Sequence, residues 1–388
     1  MGVVLILNTG SSSVKFALHD ETSRERIAHG AIEGVGRSPA LTLHEGETTQ
    51  TLHPDPGEAA DMGALIDWLL GVLDARLGPL DLMGAGHRVV HGGQDFAAPT
   101  RITDEVMSTL EALCPLAPGH QPYNLMGIRA IAARWPDCPQ IACFDTAFHR
   151  SRPRLSQLFA LPRALSDEGI LRYGFHGLSY DHIAGRLSDV LGPTVAQGRV
   201  IAAHLGSGAS LCAMQDGQSV DTTMGFTALD GLMMGTRCGQ IDPGVLIHLM
   251  REKGMDANRL EILLGRESGL LGVSGISSDM RDLLGSPEPE AAEAVALFVH
   301  MIQRQIGALT ATLGGLDALV FTAGIGERSP VIRSKVMAGL GWLGLQADET
   351  ANAGNETRIS TPDSRVAAAM IPTDEEGVIL RALLDMRG

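Results

Sequence analysis

The sequence predicts an α/β fold with a duplicated unit, and two observations lead to this prediction. The first is composition: 47 glycines, an apolar fraction of 44% and an aromatic fraction of 4% fit an α/β protein with many tight turns. The second is a pattern of apolar run, small-residue turn and apolar run, which occurs at 200–214 and again at 3–18. A chain of 388 residues has room for two or three domains. We therefore expect related domains rather than a repeat or fibrous protein.

Both copies of the pattern place glycine and serine between two predicted strands. The later turn is 204–210 and the earlier turn is 8–13. Aligning Asn8 with His204 also aligns the Gly-Ser pair that begins two residues later in each copy. Glycines allow backbone N–H groups to approach an anion without an intervening side chain. A single short glycine motif is weak, but the pair favours a duplicated fold that closes on a nucleotide from both sides.

Charge and hydropathy exclude several classes of protein. A net charge of −15 argues against binding to nucleic acids or anionic membranes. No apolar segment reaches the length of a membrane span, and the N-terminus has no targeting pattern. Five cysteines without a C-x-x-C pair fit reduced thiols. We therefore expect a cytoplasmic protein in which local arginines and histidines attract any anionic substrate.

In the first half of the chain, the patterns predict strands that end at charged side chains. Residues 20–56 read as antiparallel strands, and apolar residues at helical spacing predict a helix at 63–77. Arg88 lies near the end of a further strand, where it and the neighbouring His87 and His91 could bind a carboxylate or phosphoryl group. The two histidines are spaced like a zinc pair. However, the segment lacks helical character and a nearby glutamate, so we discount zinc.

His120 and Asp145 occupy positions at which function is plausible. His120 lies in a proline-rich loop before a predicted helix at 124–135, and from this segment alone an incidental histidine is equally plausible. Asp145 follows a buried strand predicted at 140–144. Ligands of open α/β sheets bind beyond the carboxyl ends of strands, which favours a role for Asp145. To this point the chain reads as one domain.

In the second half, His176 and Arg237 stand out because each lies among glycines. A histidine between Gly174 and Gly177 gains little as a core residue. Arg237 ends a Gly- and Met-rich loop at 221–239, whose methionines we interpret as packing. The patterns also predict helices at 179–191, 245–253, 290–313 and 377–386. Residues 150–171 are predicted to form a surface segment, and Ser278 or Asp279 to cap a helix. A strand is predicted at 318–322, followed by a Gly-x-Gly turn at 323–327 and a helix from Pro330. A strand, Gly-x-Gly turn and helix are typical of nucleotide sites.

Ten segments of the chain, in order, resemble the acetate kinase family of acyl-phosphate-forming kinases, part of the sugar kinase, Hsp70 and actin superfamily. They run from Asn8 to Glu376 as NTGSSSVKF, GHRVVHGG, PLAPGHQP, FDTAFH, YGFHGLS, HLGSGAS, GFTALDGLMMGTRCGQIDPG, GISSDMRDL, FTAGIGE and IPTDEE. The resemblance implies an α/β fold of two duplicated ribonuclease H-like domains of the actin and Hsp70 type, with mixed sheets and a nucleotide cleft between them. It implies domain I at 1–146, completed by a C-terminal helix at 375–388, and domain II at 147–374 with the ATP phosphate and adenine loops.

The resemblance also implies an activity: reversible, Mg-dependent phosphoryl transfer from ATP to acetate, giving acetyl phosphate and ADP by direct in-line displacement. The implied catalytic residues are Asp145, His176, Arg237 and His120, and the carboxylate-binding arginine is Arg88. The implied ATP-binding residues are Lys15, His204, Leu205, Gly206, Ser207, Gly208, Asp279, Met280, Arg281, Gly324, Ile325, Gly326, Glu327 and Arg328. Asn8 and Glu375 match the ligands of Mg²⁺, for which Mn²⁺ is an alternative. The family implies a homodimer, with the helix at 290–313 as a candidate contributor.

The chemistry of a carboxylate acceptor limits what Asp145 has to do. Acetate is already ionised at neutral pH, so the nucleophile needs positioning and charge neutralisation rather than a general base. Arg88 and Arg237 can supply the positive charge, and His176 can donate a hydrogen bond to the moving phosphoryl group. We therefore expect Asp145 to orient an arginine or a magnesium-bound water instead of transferring a proton.

Departures from the family pattern keep two alternatives open within enzymes. The acyl pocket of the family is lined by Val, Leu, Phe and Pro, and the matching residues here are Val90, Gly119, Phe175 and Ala228. Two of the four are smaller, and a methylene group in such a pocket is worth about 1–3 kcal/mol. This predicts tolerance of propionate and butyrate. Ser207 and Arg328 both stand where the family usually has asparagine, which leaves the phosphoryl donor open.

A third alternative comes from another functional class. A nucleotide-gated module like actin or Hsp70 would have hinge motion, not catalysis, as its output. Such a switch has no need for a second anion site facing the γ-phosphate, so Arg88, Arg237 and His176 favour the enzyme.

Overall fold

The computed structural model describes residues 2–59 and 61–386. The chain divides into two compact units. Unit 1 is Met1–Ala147 together with Asp374–Gly388, and unit 2 is Phe148–Thr373. No helix within the described ranges has both the length and the apolar character needed to cross a bilayer.

Unit 1 is built on a mixed sheet of eight strands within the described residues. The strands are β1 (Gly2–Thr9), β2 (Ser13–Asp20), β3 (Arg26–Glu33), β4 (Ala40–Glu45), β5 (Thr48–Leu52), β6 (Asp81–Val89), β7 (Thr100–Arg101) and β8 (Gln140–Phe144). The helices are α1 (Met62–Leu77), α2 (Asp104–Ala112), α3 (Gln121–Arg134) and, last in the chain, α16 (Glu375–Asp385). The sheet order is β5-β4-β3-β2-β1-β6-β8-β7. Helix α1 packs its apolar face on β1–β4 to form one core, and Ile379 of α16 lies against Gly86 of β6.

Unit 2 has a five-stranded mixed sheet in the part of the chain that the structure describes. Its strands are β9 (Arg199–Leu205), β10 (Ala209–Gln215), β11 (Gln218–Thr222), β12 (Ala318–Thr322) and β13 (Ala367–Met370), in the order β11-β10-β9-β12-β13. Its helices are α4 (Arg154–Gln157), α5 (Arg163–Asp167), α6 (Gly177–Leu191), α7 (Pro193–Ala196), α8 (Pro243–Glu252), α9 (Ala257–Arg266), α10 (Gly269–Ser274), α11 (Met280–Gly285), α12 (Pro289–Leu313), α13 (Ala323–Arg328), α14 (Pro330–Ala338) and α15 (Glu349–Ala353). Short 3₁₀ helices occupy Cys114–Leu116, Ala147–Ser151 and Gly341–Leu343.

The two sheets share one topology. In unit 1, β3, β2 and β1 are antiparallel neighbours, and β6 and β8 then follow parallel to β1. In unit 2, β11, β10 and β9 are antiparallel neighbours, and β12 and β13 then follow parallel to β9. The prediction of a duplicated α/β fold with mixed sheets is therefore confirmed. Strands β8 and β12 are buried along their whole length, as expected for strands covered on both faces.

Both predicted hairpins are present, with turns of different length. Asn8 pairs with Lys15 across the first hairpin, and His204 pairs with Ser210 across the second. The backbone N–H of Gly10 donates to the carbonyl of Ser13 at 2.8 Å in the first turn, whereas the N–H of Gly206 donates to the carbonyl of Gly208 at 2.9 Å in the second. The later turn is thus one residue tighter.

The prediction of a Gly-x-Gly turn at 323–327 is wrong, because this segment forms the short helix α13. Ala323 opens it with a positive φ of 64°, and its N–H donates to the carboxylate of Glu327 at 2.8 Å. This hydrogen bond satisfies a backbone group that the first turn of a helix leaves open. The helices predicted at 124–135 and 179–191 also begin earlier, directly after His120 and His176.

Candidate active site

In unit 1, the ends of two neighbouring parallel strands bring Arg88 and Asp145 together. Arg88 is the penultimate residue of β6, and Asp145 directly follows β8. The guanidinium donates from Nε to Asp145 Oδ1 at 3.1 Å and from Nη2 to Oδ2 at 2.5 Å. Its third nitrogen, Nη1, donates to Asn8 Oδ1 at 3.2 Å. The Asp145 side chain is 1% exposed and that of Arg88 is 19% exposed, so a rigid, oriented cation faces the end of the sheet.

Two carboxylates stabilise the charged form of Arg88. Burial opposes the charged form, but the carboxylates of Asp145 and Glu375 outweigh it and raise the pKa of Arg88 above its usual range. Glu375 is the first residue of α16, so the two ends of the chain contribute to one polar cluster within unit 1. Asn8 and Glu375, the predicted metal ligands, both lie in this cluster through their interactions with Arg88.

The oxygen donors of this cluster suit Mg²⁺ better than a transition metal. Within the described residues no group of three or more His, Cys, Asp or Glu could hold a metal by itself. Mg²⁺ is usually bound through one or two carboxylates together with water and substrate phosphates. One carboxylate and one amide oxygen, from Glu375 and Asn8, fit that mode.

His87 and His91 do not share the anion site with Arg88, contrary to the sequence-based interpretation. Both are buried, and Nε2 of His87 lies 2.7 Å from Oε1 of Gln140. Burial lowers the pKa of each histidine to about 4, so both are neutral at pH 7. The alternation of side chains along β6 explains the difference, because it turns His87 to the face opposite Arg88.

Two side chains of α3 hold the strand ends of unit 1 in place, and the sequence analysis did not identify them. Asn124 accepts from the N–H of Val90 at 2.9 Å and donates to the carbonyl of Thr9 at 2.5 Å. Gln121 accepts from the N–H of His91 at 3.1 Å and donates to its carbonyl at 3.0 Å. Both side chains are buried. The signal was available as two amides three residues apart at the start of a helix, which face the same side.

In unit 2, three predicted nucleotide segments meet at the β9–β10 turn. Gly206 lies against Ala323 and Gly324 at the start of α13. The N–H of Gly235 donates to the carbonyl of Ser207 at 3.2 Å, and the other side of Gly235 faces the residue before the α11 cap. The backbone of the turn is therefore joined to both of the other loops.

Gly208 of this turn lies beneath Arg237 and His176. A Cβ atom on Gly208 would lie 2.8 Å from Nη2 of Arg237 and 3.3 Å from Nε2 of His176. The loop can approach these two side chains only because it has no side chain of its own at this position. Arg237 is supported from the other side by the carbonyl of Ala228, which accepts from Nη1 at 2.8 Å.

His176 has a strained backbone and a defined orientation. Its φ of 60° is left-handed, which is uncommon for a residue other than glycine, and it precedes the first turn of α6. Nδ1 lies 2.8 Å from Oγ of Ser210, and the ring stacks on His204 with centroids 4.1 Å apart. Strain of this kind persists only where surrounding contacts enforce it, and it concentrates at functional sites.

Several predicted ATP-binding residues use their side chains inside the protein. The carboxylate of Glu327 accepts from the N–H groups of Ala323 and Thr373. Asp279 caps α11 and pairs with the exposed Arg281, whose guanidinium holds the pKa of that carboxyl at about 2. Met280 is buried. The side chains of Glu327, Asp279 and Met280 are therefore engaged within the protein, whereas the side chain of Arg281 is exposed.

The other predicted site residues have the following placements. Exposed residues are Lys15, Gly119, His120, Ser207, Gly324 and Arg328, partly buried ones are Ala228 and Ile325, and buried ones are Val90, Phe175, Leu205 and Gly326. His120 immediately precedes α3. No heavy atom lies within 4 Å of the Cβ position of Gly119.

Comparisons with known proteins agree over nearly the whole chain. The family model of the Acetokinase family matches residues 3–381. An acetate kinase of Rhodopseudomonas palustris is 52% identical over 389 residues, which cover 98% of this chain and 97% of that protein. The crystal structure of Porphyromonas gingivalis acetate kinase matches with a TM-score of 0.91 at 36% identity, covering 100% of both chains. A propionate kinase from Francisella tularensis matches with a TM-score of 0.93 at 34% identity, covering 99% of this chain and 100% of that one. By this likeness in sequence and fold, the chain belongs to the acetokinase family.

Proposed function

We propose that this chain catalyses reversible phosphoryl transfer from ATP to acetate, giving ADP and acetyl phosphate. The observation that carries the proposal is the Arg88–Asp145 pair, which holds an oriented cation at the strand ends of unit 1. A carboxylate substrate needs such a cation beside the polyanionic nucleotide, whereas a nucleotide-gated switch does not. Membership of the acetokinase family supports the same activity.

In this proposal Asp145 acts by positioning Arg88. Both of its oxygens already accept hydrogen bonds from the guanidinium, and acetate needs no base to become a nucleophile. Arg88 binds the carboxylate of acetate, and the two carboxylates that raise its pKa offset the cost of burying its charge. His120 remains a candidate catalytic residue on the strength of the family resemblance, supported by its exposed position before α3.

The residues of unit 2 are proposed to hold the nucleotide and stabilise the transferred phosphoryl group. The predicted ATP loops converge around Gly206 and Gly235, which supports a backbone cradle for phosphates. Arg237 and His176 both face Gly208, and they can donate to the equatorial oxygens on which charge accumulates. Unit 2 is accordingly the proposed nucleotide domain, and unit 1 with α16 the proposed carboxylate domain.

We propose Mg²⁺ as the metal that accompanies ATP, held by Asn8 and Glu375. When bound, it neutralises charge on the β- and γ-phosphates. Asn8 Oδ1 accepts from Arg88 at 3.2 Å, which keeps the amide oxygen turned toward the polar cluster. All five cysteines are free thiols, which supports the predicted cytoplasmic location.

A homodimer is proposed, with α8 in place of α12 as the main contributor. Helix α12 already uses eleven residues in the core of unit 2. Helix α8 has no buried residue, and Val245, Ile247 and Met250 on it are 41–49% exposed. A contiguous exposed apolar face is typical of an interaction surface, and a second copy of this chain is the proposed partner.

Propionate is a second candidate substrate, and the surroundings of Gly119 favour it. The open space around its Cβ position leaves room for a longer acyl chain in the pocket that the family resemblance assigns to this residue. A structural neighbour is a propionate kinase. We expect propionate to be used with a kcat/KM within a hundredfold of that for acetate, and replacing Gly119 by leucine should lower propionate use more than acetate use.

A hydroxamate assay for acyl phosphate tests both proposals. The purified protein is incubated with ATP and Mg²⁺ and with acetate, propionate or butyrate in parallel. Acetyl hydroxamate should form only with ATP present, and Arg88→Ala should abolish it. No acyl phosphate from any of the three acids would overturn the proposed activity. A propionate kcat/KM more than a hundredfold below that for acetate would leave acetate as the substrate and overturn only the second candidate.

A further inference from the structure

Two stacked histidines in unit 2 share one pattern of hydrogen bonding. The rings of His176 and His204 lie 4.1 Å apart with planes 15° from parallel. Nδ1 of His176 lies 2.8 Å from Oγ of Ser210, and Nδ1 of His204 lies 2.9 Å from Oγ of Ser179. Both serines are completely buried. Each histidine is therefore bound at Nδ1 by a hydroxyl group that water does not reach.

Each of these serines is also hydrogen-bonded to a second hydroxyl group. The phenol oxygen of Tyr180 lies 2.5 Å from Oγ of Ser210. Oγ1 of Thr373 donates to Oγ of Ser179 at 2.9 Å. The result is two parallel chains of the type hydroxyl, serine, imidazole.

The direction of the chain at His176 follows from the state of Tyr180. This side chain is completely buried, and burial raises the pKa of its phenol well above the usual value, so it keeps its proton. A buried phenol donates where an acceptor is in reach, and Oγ of Ser210 is at 2.5 Å. Once Ser210 accepts that hydrogen bond, its own hydrogen can point at Nδ1 of His176. The imidazole then accepts at Nδ1 and carries its proton on Nε2.

We propose that Tyr180 and Ser210 hold His176, and Thr373 and Ser179 hold His204, as neutral imidazoles with the proton on Nε2. This inference rests on the proposed phosphoryl transfer for its purpose, because Nε2 of His176 faces Gly208 of the phosphate loop. There an N–H donates to an anionic oxygen, whereas a lone pair repels it. A neutral pair also avoids two positive charges stacked 4.1 Å apart. The four hydroxyl residues are positioning residues.

Removing the first hydroxyl of this hydrogen-bonded series, that of Tyr180, should allow His176 to adopt its other tautomer. In Tyr180→Phe, Oγ of Ser210 no longer accepts a hydrogen bond from the phenol and can accept one from a protonated Nδ1 of His176. The second tautomer then becomes populated, and it directs a lone pair at the phosphoryl group. A wrong tautomer or a lost outer partner lowers turnover by tenfold or more in other enzymes, so we expect kcat to fall by about tenfold or more. The KM for ATP should change less than kcat, although the variant also removes the hydrogen bond between the phenol oxygen and the backbone of His204.

Nitrogen NMR of protein labelled with ¹⁵N-histidine measures the tautomer directly, because protonated and unprotonated ring nitrogens have well separated shifts. Comparison with His176→Asn and His204→Asn assigns the resonances. At neutral pH we expect both histidines of the wild type to be protonated on Nε2 alone. Tyr180→Phe should change the His176 signals, and Thr373→Val should change those of His204. Tyr173→Phe is the matched control, since its hydroxyl donates to the carbonyl of Gly169 at 2.7 Å instead.

Two results would overturn the inference. One is a wild-type His176 that is protonated on Nδ1 or carries both protons at neutral pH. The other is a folded Tyr180→Phe protein with unchanged His176 shifts and unchanged kcat. The NMR measurement needs no turnover, so a wild type with the expected tautomers but no acyl phosphate would contradict the proposed function and leave the tautomer assignment standing.

Discussion

Both carboxylate oxygens of Asp145 accept hydrogen bonds from Arg88. The effect expected from a substitution of Asp145 follows from the loss of this ion pair. Removing one partner of a buried ion pair leaves the other charge without compensation. An asparagine at this position keeps the shape of the side chain but turns an N–H₂ group toward a cation that is itself a donor. Arg88 should then lose its fixed orientation.

For Asp145→Asn we expect kcat/KM for acetate to fall by at least about 100-fold, or about 3 kcal/mol, with a smaller change in the KM for ATP. Steady-state kinetics with each substrate varied in turn measures this. The matched control is Asp317→Asn, which breaks a similar two-contact pair with Arg199 outside the proposed site. Unchanged acetate kinetics in Asp145→Asn would contradict the positioning role.

The buried histidine beside Arg88 makes stability depend on pH. The pKa of His87 is about 4 in the folded chain and 6.5 in the unfolded chain. Between these values only the unfolded chain binds the proton, so the free energy of unfolding falls as the pH drops from 6.5 to 4. His87→Gln keeps a donor for Gln140 and removes the titration. Urea denaturation should show that the loss of stability from pH 7 to pH 5 is about 2 kcal/mol smaller in this variant. An equal loss in both proteins would show that His87 does not contribute.

At the residue scale, the sequence predicted the positions of the proposed site residues but not the roles of the residues around them. Asp145 was identifiable because it follows an apolar run that predicts a buried strand, and Arg88 because it lies beside two valines at a predicted strand end. The burial of His87 was readable from the alternation along β6, but the histidines were interpreted by their distance from Arg88 alone. Ser210 and Thr373 could not be predicted, because their partners lie 34 and 194 residues away along the chain.

The β9–β10 hairpin is the element on which unit 2 depends for its proposed chemistry. Its turn touches α13 through Gly206 and the loop before α11 through Gly235, and it carries Gly208 beneath Arg237 and His176. The turn therefore sets the distance between the phosphate loop and the two donors. A single added methyl group is enough to test this arrangement.

In Gly208→Ala the new Cβ would lie 2.8 Å from Nη2 of Arg237, so the arginine or the turn must move. We expect kcat to fall by about 100-fold, comparable with the loss of one transition-state donor. The matched control is Gly185→Ala on α6, where nothing lies within 4 Å of the added Cβ. The control should keep full activity and gain up to about 1 kcal/mol of stability. Equal kcat in the two variants would show that the turn does not set this distance.

At the element scale, long periodic segments were predictable and short ones were not. The hairpins, α1 and α12 follow from apolar periodicity over many residues. Helices α9 and α10 and strands β7, β11 and β13 were missed, since each is short or bounded by glycines that read as loop. Helix α13 was predicted as a turn because its sequence has a Gly-x-Gly pattern. The pattern does not reveal that the carboxylate of Glu327, four residues along, accepts from the first N–H of the helix and stabilises it.

At the scale of the whole molecule, the apolar face of α8 predicts self-association. We expect Ile247→Glu combined with Met250→Glu to convert a dimer into monomers, because two carboxylates in an apolar interface are costly to bury. Sedimentation velocity measures the change. The control, Leu155→Glu, places one of these two charges on a residue that is 85% exposed outside α8. A double variant that sediments like the wild type would exclude α8 as the interface.

The duplication of the fold was predictable because the two hairpins are the antiparallel halves of equivalent sheets. Aligning Asn8 with His204 places both at the ends of central strands, and each central strand has a parallel neighbour on its other side. The parallel strands themselves were harder to assign. Strands such as β13 are short, alanine-rich and distant in sequence from their partners, so no local pattern marks them.

The last helix of the chain has a consequence for how the protein is made. Unit 2 is one continuous segment, whereas unit 1 needs α16 against β6 and Glu375 beside Arg88. A ribosome delivers domains from the N-terminus onward, and most can fold as they emerge. Here the first part of unit 1 emerges before unit 2, and unit 1 is completed only after unit 2 has been synthesised. The nascent chain therefore lacks a full set of proposed metal ligands until residue 375 has been added, after the whole of unit 2.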